Sequence, residues 1–326
     1  MRTITGKKVK SILALLFFTV SLVGVAQTKK EAVDAFNEGA ALVKTDPDGA
    51  IKVFNKCIEI SEQLGEEGDE TKLAAEQQLP LLYYKVAVNN YKKKEFDVAI
   101  KAFEESIQVA EKYGNDGISK QSKKIIPQVY YAKGSNEYKN KNFDAAIASL
   151  NKATDLNPNY AKPYLIKGSI YKSRGDFDNM LAACDKAIEA GLVTNDKKTF
   201  ASAEKLARNT MFNQGIASFG SKNWQDAEKY WKKSIEYGNN SPDVYYHLGK
   251  VNMAEKKWEA AINNLNKAVE LDQGEAVDKA KYFFELGNAF MGKGDNTQAC
   301  SSFKKAMFGQ YTENAKYQIE QVLKCK

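Results

Sequence analysis

Histidine is almost absent from this sequence, which contains a single one, His247, in 326 residues. Nucleophilic triads and most catalytic metal sites need a histidine oriented by a second polar group, and His247 has no evident partner along the chain. Strings typical of phosphate-binding, dinucleotide-binding, serine-hydrolase or zinc-protease sites are also missing. We therefore expect no catalytic residue, no metal site, no cofactor and no small-molecule substrate, and we interpret His247 as a surface or satisfied structural residue.

Proline is scarce as well, with six residues in the whole chain, while alanine, lysine, glutamate, asparagine and leucine are plentiful. This composition favours helix over sheet, and the low proline content argues against a long disordered segment. A chain of 326 residues is too long for one ordinary hydrophobic core. It fits either two domains or one elongated array.

Charge is missing from residues 11–25, a run of 15 residues that follows a positively charged N-terminus. Gly24 and Ala26 then place small residues at positions −3 and −1 of a cleavage site. This pattern predicts a secretory signal peptide over residues 1–26, with residues 27–326 as the mature protein. The run is short for a membrane-spanning helix, which needs about 20 apolar residues, and an uncleaved anchor is the alternative. No cysteine follows the run, which argues against a lipoprotein.

The excess of positive charge belongs mostly to this leader. It holds four of the 48 basic residues and no acidic one, which leaves 44 basic against 41 acidic side chains, a net charge of +3. Short clusters such as Lys92-Lys93-Lys94 are typical of solvated helix ends. The sequence therefore gives no case for a nucleic-acid partner.

Seven segments share one pattern of small and bulky residues. A small residue on a first helix is followed 11 or 12 positions later by another small residue, and a bulky apolar residue comes four positions after that. Two antiparallel helices approach closely only where side chains are small, so the pattern predicts helical hairpins that stack to bury their apolar faces. The small first-helix residues are Gly39, Ala87, Gly134, Gly168, Gly215, Gly249 and Gly287.

This pattern resembles the tetratricopeptide repeat, a helix-turn-helix unit of 34 residues, and the spacing is 34 from Gly134 to Gly168 and from Gly215 to Gly249. The resemblance implies an all-α, right-handed superhelical solenoid of about seven hairpins with a C-terminal capping helix over residues 312–325. Three spacings are 47 or 48, and we interpret the additional residues as longer second helices or inserted loops. The expected repeats are residues 31–64, 80–113, 127–160, 161–194, 208–241, 242–275 and 280–311.

The resemblance also implies that the first helices line a concave groove that binds a protein segment. Aromatic residues recur at two groove positions, where they serve either packing between hairpins or partner binding, and both roles are compatible with one side chain. The carboxylate-binding pattern of one well-known subtype is matched only in part, by Lys250 and Asn288. The candidate groove residues are Phe36, Tyr84, Tyr91, Tyr131, Tyr138, Phe212, Phe219, Tyr246, Lys250, Phe284 and Asn288.

The four cysteines show no metal-ligand spacing. Cys57 and Cys184 replace packing residues of their second helices, and we interpret them as buried free thiols. Cys300 lies on the last second helix, and a capping helix that folds back would bring Cys325 close to it. We expect a disulfide between Cys300 and Cys325, worth about 3 kcal/mol, with two unpaired cysteines as the alternative.

Together these features predict a non-catalytic scaffold or adaptor for protein–protein interaction in the cell envelope. The predicted location is the periplasm or the periplasmic face of the outer membrane, with association to that membrane through a partner. The alternative function is a structural accessory subunit of an envelope assembly or secretion machine. The sequence does not identify the partner.

Overall fold

The computed structural model describes residues 21–325. The first twenty residues of the predicted signal peptide lie outside the described residues, and residues 21–26 form the start of the first helix. The described chain folds into fifteen α-helices and contains no strand, which confirms the predicted all-α class. Between residues 21 and 325, no helix combines the length and the apolarity that crossing a membrane requires.

Fourteen of the helices pair in sequence order into seven antiparallel hairpins, and the remaining helix, α15, follows the last hairpin. The first helices of the hairpins are α1 (Ser21–Leu42), α3 (Asp69–Lys92), α5 (Asp116–Lys139), α7 (Ala161–Arg174), α9 (Lys197–Gly220), α11 (Pro242–Ala254) and α13 (Ala276–Lys293). The second helices are α2 (Pro47–Gln63), α4 (Phe96–Lys112), α6 (Phe143–Leu156), α8 (Phe177–Val193), α10 (Trp224–Glu236), α12 (Trp258–Leu271) and α14 (Asn296–Lys305).

The hairpins form two compact units. The N-terminal unit holds the first three hairpins and ends at Pro158, and the C-terminal unit holds the other four and begins at Asn159. Within each unit, the core is shared between successive hairpins. Around the fully buried Phe54 of α2, for example, pack Leu79 and Leu82 of α3 in the next hairpin. A single hairpin therefore leaves its apolar face uncovered, and stacking buries it.

The helix crossings use the small residues that the sequence pattern picks out. A Cβ atom at Gly249 of α11 would lie 2.6 Å from Cγ of Leu265 on α12. A Cβ atom at Gly287 of α13 would lie 2.6 Å from Cε1 of Phe303 on α14. Real Cβ contacts are not this short, so the helices approach as closely as they do because these positions lack a side chain. The predicted pairing of a small first-helix residue with a bulky second-helix residue is confirmed at the five glycines Gly39, Gly134, Gly215, Gly249 and Gly287. At Gly168 the nearest side chains are instead Leu206 of the next hairpin and Cys184.

The turns inside hairpins two to seven share one geometry, in which a residue with positive φ stands two positions before the second helix. Lysine occupies this position in four hairpins and glycine in the other two. The left-handed conformation brings the Cβ atom of a lysine close to the backbone, at a steric cost that glycine avoids because it has no Cβ. The residues are Lys94, Lys141, Gly175, Lys222, Lys256 and Gly294, with φ between 57° and 89°.

The additional residues of the long repeats lengthen helices, and most of them extend a first helix. Helices α3, α5 and α9 have 24 residues each, against 14 in α7 and 13 in α11. The expected repeats at Pro80, Pro127 and Arg208 thus start inside helices that begin 11 residues earlier. Asn115 and Asp196 explain two of these starts, since each side chain accepts a hydrogen bond from the amide three residues on. The interpretation as longer second helices or inserted loops was therefore wrong in its main part.

The chain after α14 folds back against the last hairpin. It forms α15 (Thr312–Tyr317) and a π-helical turn over Gln318–Val322, so the cap is shorter than the expected helix over residues 312–325. Ala315 and Ile319 pack into the core cluster around Phe303. This contact covers the apolar face that the final hairpin would otherwise expose.

The cysteines divide into one bonded pair and two free thiols. The structure joins Cys300 to Cys325, whose Cα atoms lie 5.9 Å apart and whose sequence separation is 25. The state of this pair in the exported protein stays a prediction. Cys57 and Cys184 are buried and free, as the sequence predicts, and desolvation raises the pKa of Cys184 to about 12.

Candidate partner-binding surface

All eleven predicted groove residues lie on first helices and are half-buried. Because the chain forms two units, they form two separate rows. The N-terminal row consists of Phe36, Tyr84, Tyr91, Tyr131 and Tyr138. The C-terminal row consists of Phe212, Phe219, Tyr246, Lys250, Phe284 and Asn288.

In three hairpins, the aromatic row residue nearer the start of the first helix packs against the bulky residue of the second helix. Tyr84 meets Phe103 with ring centres 5.8 Å apart and planes inclined by 66°. Phe284 meets Phe303 at 5.5 Å and the same inclination. This edge-to-face geometry is favourable for aromatic pairs and fixes the orientation of each ring.

The aromatic side chains nearer the end of each first helix pack across the hairpin turn. Tyr91 lies against Phe96, with ring centres 6.3 Å apart, and Phe219 lies against Trp224 at 5.0 Å. Each contact joins the first helix to the first residue of the second helix. The row residues therefore have a packing role, and their half-exposed faces stay available to a partner.

His247 lies inside an aromatic cluster next to the C-terminal row. Its ring stacks on Trp231, with centres 5.0 Å apart and planes at 19°, and the rings of Phe212, Tyr246 and Phe219 surround it at 5.5 to 6.4 Å. Among residues 21–325, no protein atom forms a hydrogen bond with its Nδ1. Burial lowers the pKa of His247 to about 4, and a neighbouring ammonium group adds to the shift. The ring is thus neutral at pH 7, and it is less exposed and less hydrogen-bonded than expected.

Two ammonium groups lie near the ring of Tyr246. Nζ of Lys250 is 5.5 Å from the centre of this ring and 5.4 Å from that of Phe219. Nζ of Lys281 is 5.8 Å from the centre of the Tyr246 ring and 3.4 Å from a carboxylate oxygen of Asp243. Both ammonium groups contribute to the low pKa of the neighbouring histidine, which places their positive charge at this point of the row.

Lys281 is a residue that the sequence reasoning missed. It stands three positions before Phe284, on the same face of α13, and this spacing is the signal that could have found it. Asn288, which was predicted, donates a hydrogen bond from Nδ2 to Oε2 of Glu285 at 3.1 Å. Its amide is therefore already engaged within α13.

A cavity of about 630 Å³ lies elsewhere in the C-terminal unit, between the start of α8 and helix α10. Its wall combines Phe177 and Tyr230 with several charged side chains. Two of its lysines already pair with glutamates, as Lys233 does with Glu236 at 2.7 Å. Over residues 21–325, no group of three or more histidine, cysteine, aspartate or glutamate residues is arranged to hold a metal ion. The structure places the predicted residues in the two rows, and their contact with a partner stays a prediction.

Comparison with solved structures returns chains of low overall similarity to this one. The chain is similar to the protein in "Crystal structure of MamA protein", at 23% identity over 60% of this chain and 95% of that one, with a TM-score of 0.30. It is similar to YrrB, "a TPR protein with an unusual peptide-binding site", at 18% identity over 58% and 90%, with a TM-score of 0.33. It is also similar to the TPR2AB domain of yeast Sti1 in its pHSP90 complex, at 16% over 76% and 98%, with a TM-score of 0.31. No curated protein sequence matches the chain.

The sequence itself matches the tetratricopeptide repeat family model at three places, residues 127–160, 161–190 and 242–275. The first match covers the later part of α5 and all of α6, the second covers α7 and most of α8, and the third covers α11 and α12. Three of the other four hairpins repeat the same crossing of a small and a bulky residue, at Gly39, Gly215 and Gly287. The three matched hairpins are therefore tetratricopeptide repeats, a kind of repeat that builds scaffolds for protein–protein interaction.

Proposed function

We propose that the protein is a non-catalytic scaffold of the cell envelope that binds a protein segment on the exposed faces of its first helices. The observation that carries this proposal is the pair of rows, eleven half-buried and mostly aromatic side chains at repeating helix positions. Tyrosine, tryptophan and phenylalanine anchor protein partners more often than other apolar residues do, because they bury much area with few rotatable bonds.

Packing within and between the hairpins prepares these rings for binding. Phe36 rests edge-on against Phe54 at 5.6 Å, and Tyr246 rests edge-on against Tyr282 at 5.5 Å. A ring that is already fixed loses little conformational entropy when a partner covers its free face. The rows therefore suit an extended or helical apolar segment that contacts several first helices in succession.

Site-specific photo-crosslinking in cells that make the protein tests the surface. A photoreactive amino acid is placed at Tyr131 and Tyr246 in the rows, and at Tyr113 and Tyr230, half-buried tyrosines outside the rows, as matched controls. We expect discrete crosslinked proteins from the row positions and none from the controls. Equal crosslinking from both sets, or none from the rows, would contradict the proposal.

The envelope location rests on the N-terminal pattern in residues 1–26, whose cleavage would leave Gln27 as the first residue. The intact mass of the protein isolated from fractionated cells tests this, since it should equal that of residues 27–326 in the periplasmic or membrane fraction. A mass that includes the leader in a cytoplasmic fraction would refute export.

The proposal of no catalysis is supported by the neutral, packed state of His247, whose Nδ1 has no protein partner to orient it within the described chain.

A second function, as a structural subunit of a larger envelope assembly, is favoured by apolar side chains at the end of the chain. Val277, Phe308, Tyr317 and Val322 are exposed there, away from the row positions. Exposed apolar residues in one region mark a surface for another folded protein. Replacing Phe308 and Tyr317 by serine separates the two functions: loss of a native complex favours the subunit, and retained crosslinking at Tyr246 favours the segment binder.

A further inference from the structure

We infer that the C-terminal row selects segments carrying an acidic side chain next to an apolar one, with Lys250 as the residue that contacts the acid. This inference rests on the proposed function, because it specifies the partner of the same surface. It concerns only α9, α11 and α13 of the C-terminal unit.

Lys250 differs from the other lysines of the first helices in its surroundings. Within residues 21–325, no carboxylate lies at ion-pair distance from its ammonium group, whereas Lys133 pairs with Asp97 and Lys281 pairs with Asp243. Its Nζ instead faces the rings of Phe219 and Tyr246. A half-buried ammonium between two rings has lost part of its hydration, so an arriving carboxylate would gain more from it than from a solvated lysine.

Two carboxylates, Asp243 and Glu285, act on Tyr246, the ring that Lys250 faces, and each already accepts a hydrogen bond. Asp243 accepts from Lys281 at 3.4 Å, and Glu285 accepts from Asn288 at 3.1 Å. His247, whose ring lies beside Tyr246, is neutral at pH 7 and adds no charge. Asp243 is paired with Lys281, whereas Lys250 has no carboxylate at ion-pair distance within the described residues, so a carboxylate of the partner can supply one beside the two rings, which is a complementarity of charge as well as shape.

The donor set favours an acidic side chain within a segment over the free carboxyl end of a chain. Recognition of a chain end uses several donors around one carboxylate, and here one of the two N–H donors of Asn288 is already bonded to the carboxylate of Glu285. Lys250 alone offers a single point charge on a flexible stem, which fits one aspartate or glutamate. Neighbouring residues of the segment then lie over Phe219 and Tyr246, so an apolar or aromatic neighbour is expected.

Selection from a random library of 12-residue peptides, displayed with neither end free, tests the inference on the purified protein. The chain is compared with Lys250→Met, which keeps the length and apolarity of the side chain, and with Lys229→Met, a control lysine that lies over Tyr230 on α10. We expect aspartate or glutamate beside an apolar residue in peptides selected by the unaltered chain and by Lys229→Met. Lys250→Met should select apolar peptides without the acid.

A double-mutant cycle with one selected peptide, synthesised with blocked ends, measures how much the contact with Lys250 contributes to binding. Glutamate to glutamine in the peptide, or Lys250→Met in the protein, should each weaken binding about tenfold, and both changes together no further. Changes in the signals of the single imidazole, His247, on addition of peptide locate the contact to this row.

The outcomes separate the inference from the proposed function. If no peptide is selected, or if selected peptides bind without moving the His247 signals, the binding surface itself is refuted. If peptides bind there without an acid preference, or Lys250→Met keeps that preference, only the role of Lys250 is refuted. Binding that requires a free carboxyl end would overturn the assignment to an internal acidic side chain. Far-ultraviolet circular dichroism equal to that of the unaltered chain verifies the fold of both variants.

Discussion

Protonation of His247 should destabilise the folded protein at mildly acidic pH. Burial lowers its pKa from 6.5 to about 4, with Lys250 as the second cause, followed by opposing contributions from Asp243 and Lys281. Between pH 6.5 and pH 4 the unfolded chain therefore binds a proton at this residue and the folded chain does not. The free energy of unfolding accordingly falls as the pH decreases through this window and levels off below pH 4.

The two pKa values set an upper limit of about 3.4 kcal/mol for this loss. Because the ring is only partly shielded from solvent, we expect about 1–2 kcal/mol. His247→Phe keeps an aromatic ring against Trp231 and removes the titration. Urea unfolding at several pH values between 7 and 4 gives the unfolding free energy of each protein. The difference between the unaltered protein and the variant should change by this amount over that range, because the contributions of all other titrating groups are the same in both proteins.

Nuclear magnetic resonance measures the pKa directly, since the protein has one histidine and hence one imidazole. The C2–H signal should titrate near pH 4, and Lys250→Met should raise that pKa because it removes a neighbouring positive charge. A titration near pH 6.5 would refute the desolvation argument. Parallel unfolding curves for the two proteins would refute the link to stability, even with a low pKa.

Two further predictions concern packing and sulfur chemistry. Gly249→Ala places a Cβ 2.6 Å from Leu265 and should destabilise the protein by about 1–3 kcal/mol, while Gly220→Ala, with nothing within 4 Å, should stabilise it by up to about 1 kcal/mol, both measured by chemical denaturation. A maleimide should label no thiol in the native protein, two after denaturation and four after denaturation with reductant, because two thiols are buried and Cys300 pairs with Cys325. Four labelled thiols without reductant would exclude the disulfide.

The number and frame of the hairpins were predictable because they depend on local volume. A small residue at Gly134 and a bulky one at Leu150 are readable from their spacing, and the structure places them in contact. The row residues were placed on first helices by the tetratricopeptide resemblance, once the small residues had fixed its alignment to this sequence. Prediction from local volume works where one hairpin supplies both residues of the contact.

The long first helices were not predicted, because the sequence signal for a turn does not say how soon the next helix begins. The glycine at position 114 marks the turn, yet the helix start depends on the side chain of Asn115, which caps the amide of Ile118 at 3.1 Å. In the same way, the environment of Lys250 depends on Phe219 from another hairpin. Contacts between hairpins involve long sequence separations, and no local pattern encodes them.

The link between Cys300 and Cys325 has a consequence for how the repeat array opens. End hairpins of such arrays fray first, because they have a neighbour on one side only. Here the C-terminal segment that follows α14 cannot detach while the disulfide is intact. We therefore expect amide hydrogen exchange in α13 and α14 to be as slow as in the interior hairpins. Reduction would restore fraying from this end, and the stability of the last hairpin would then report the redox state of its compartment.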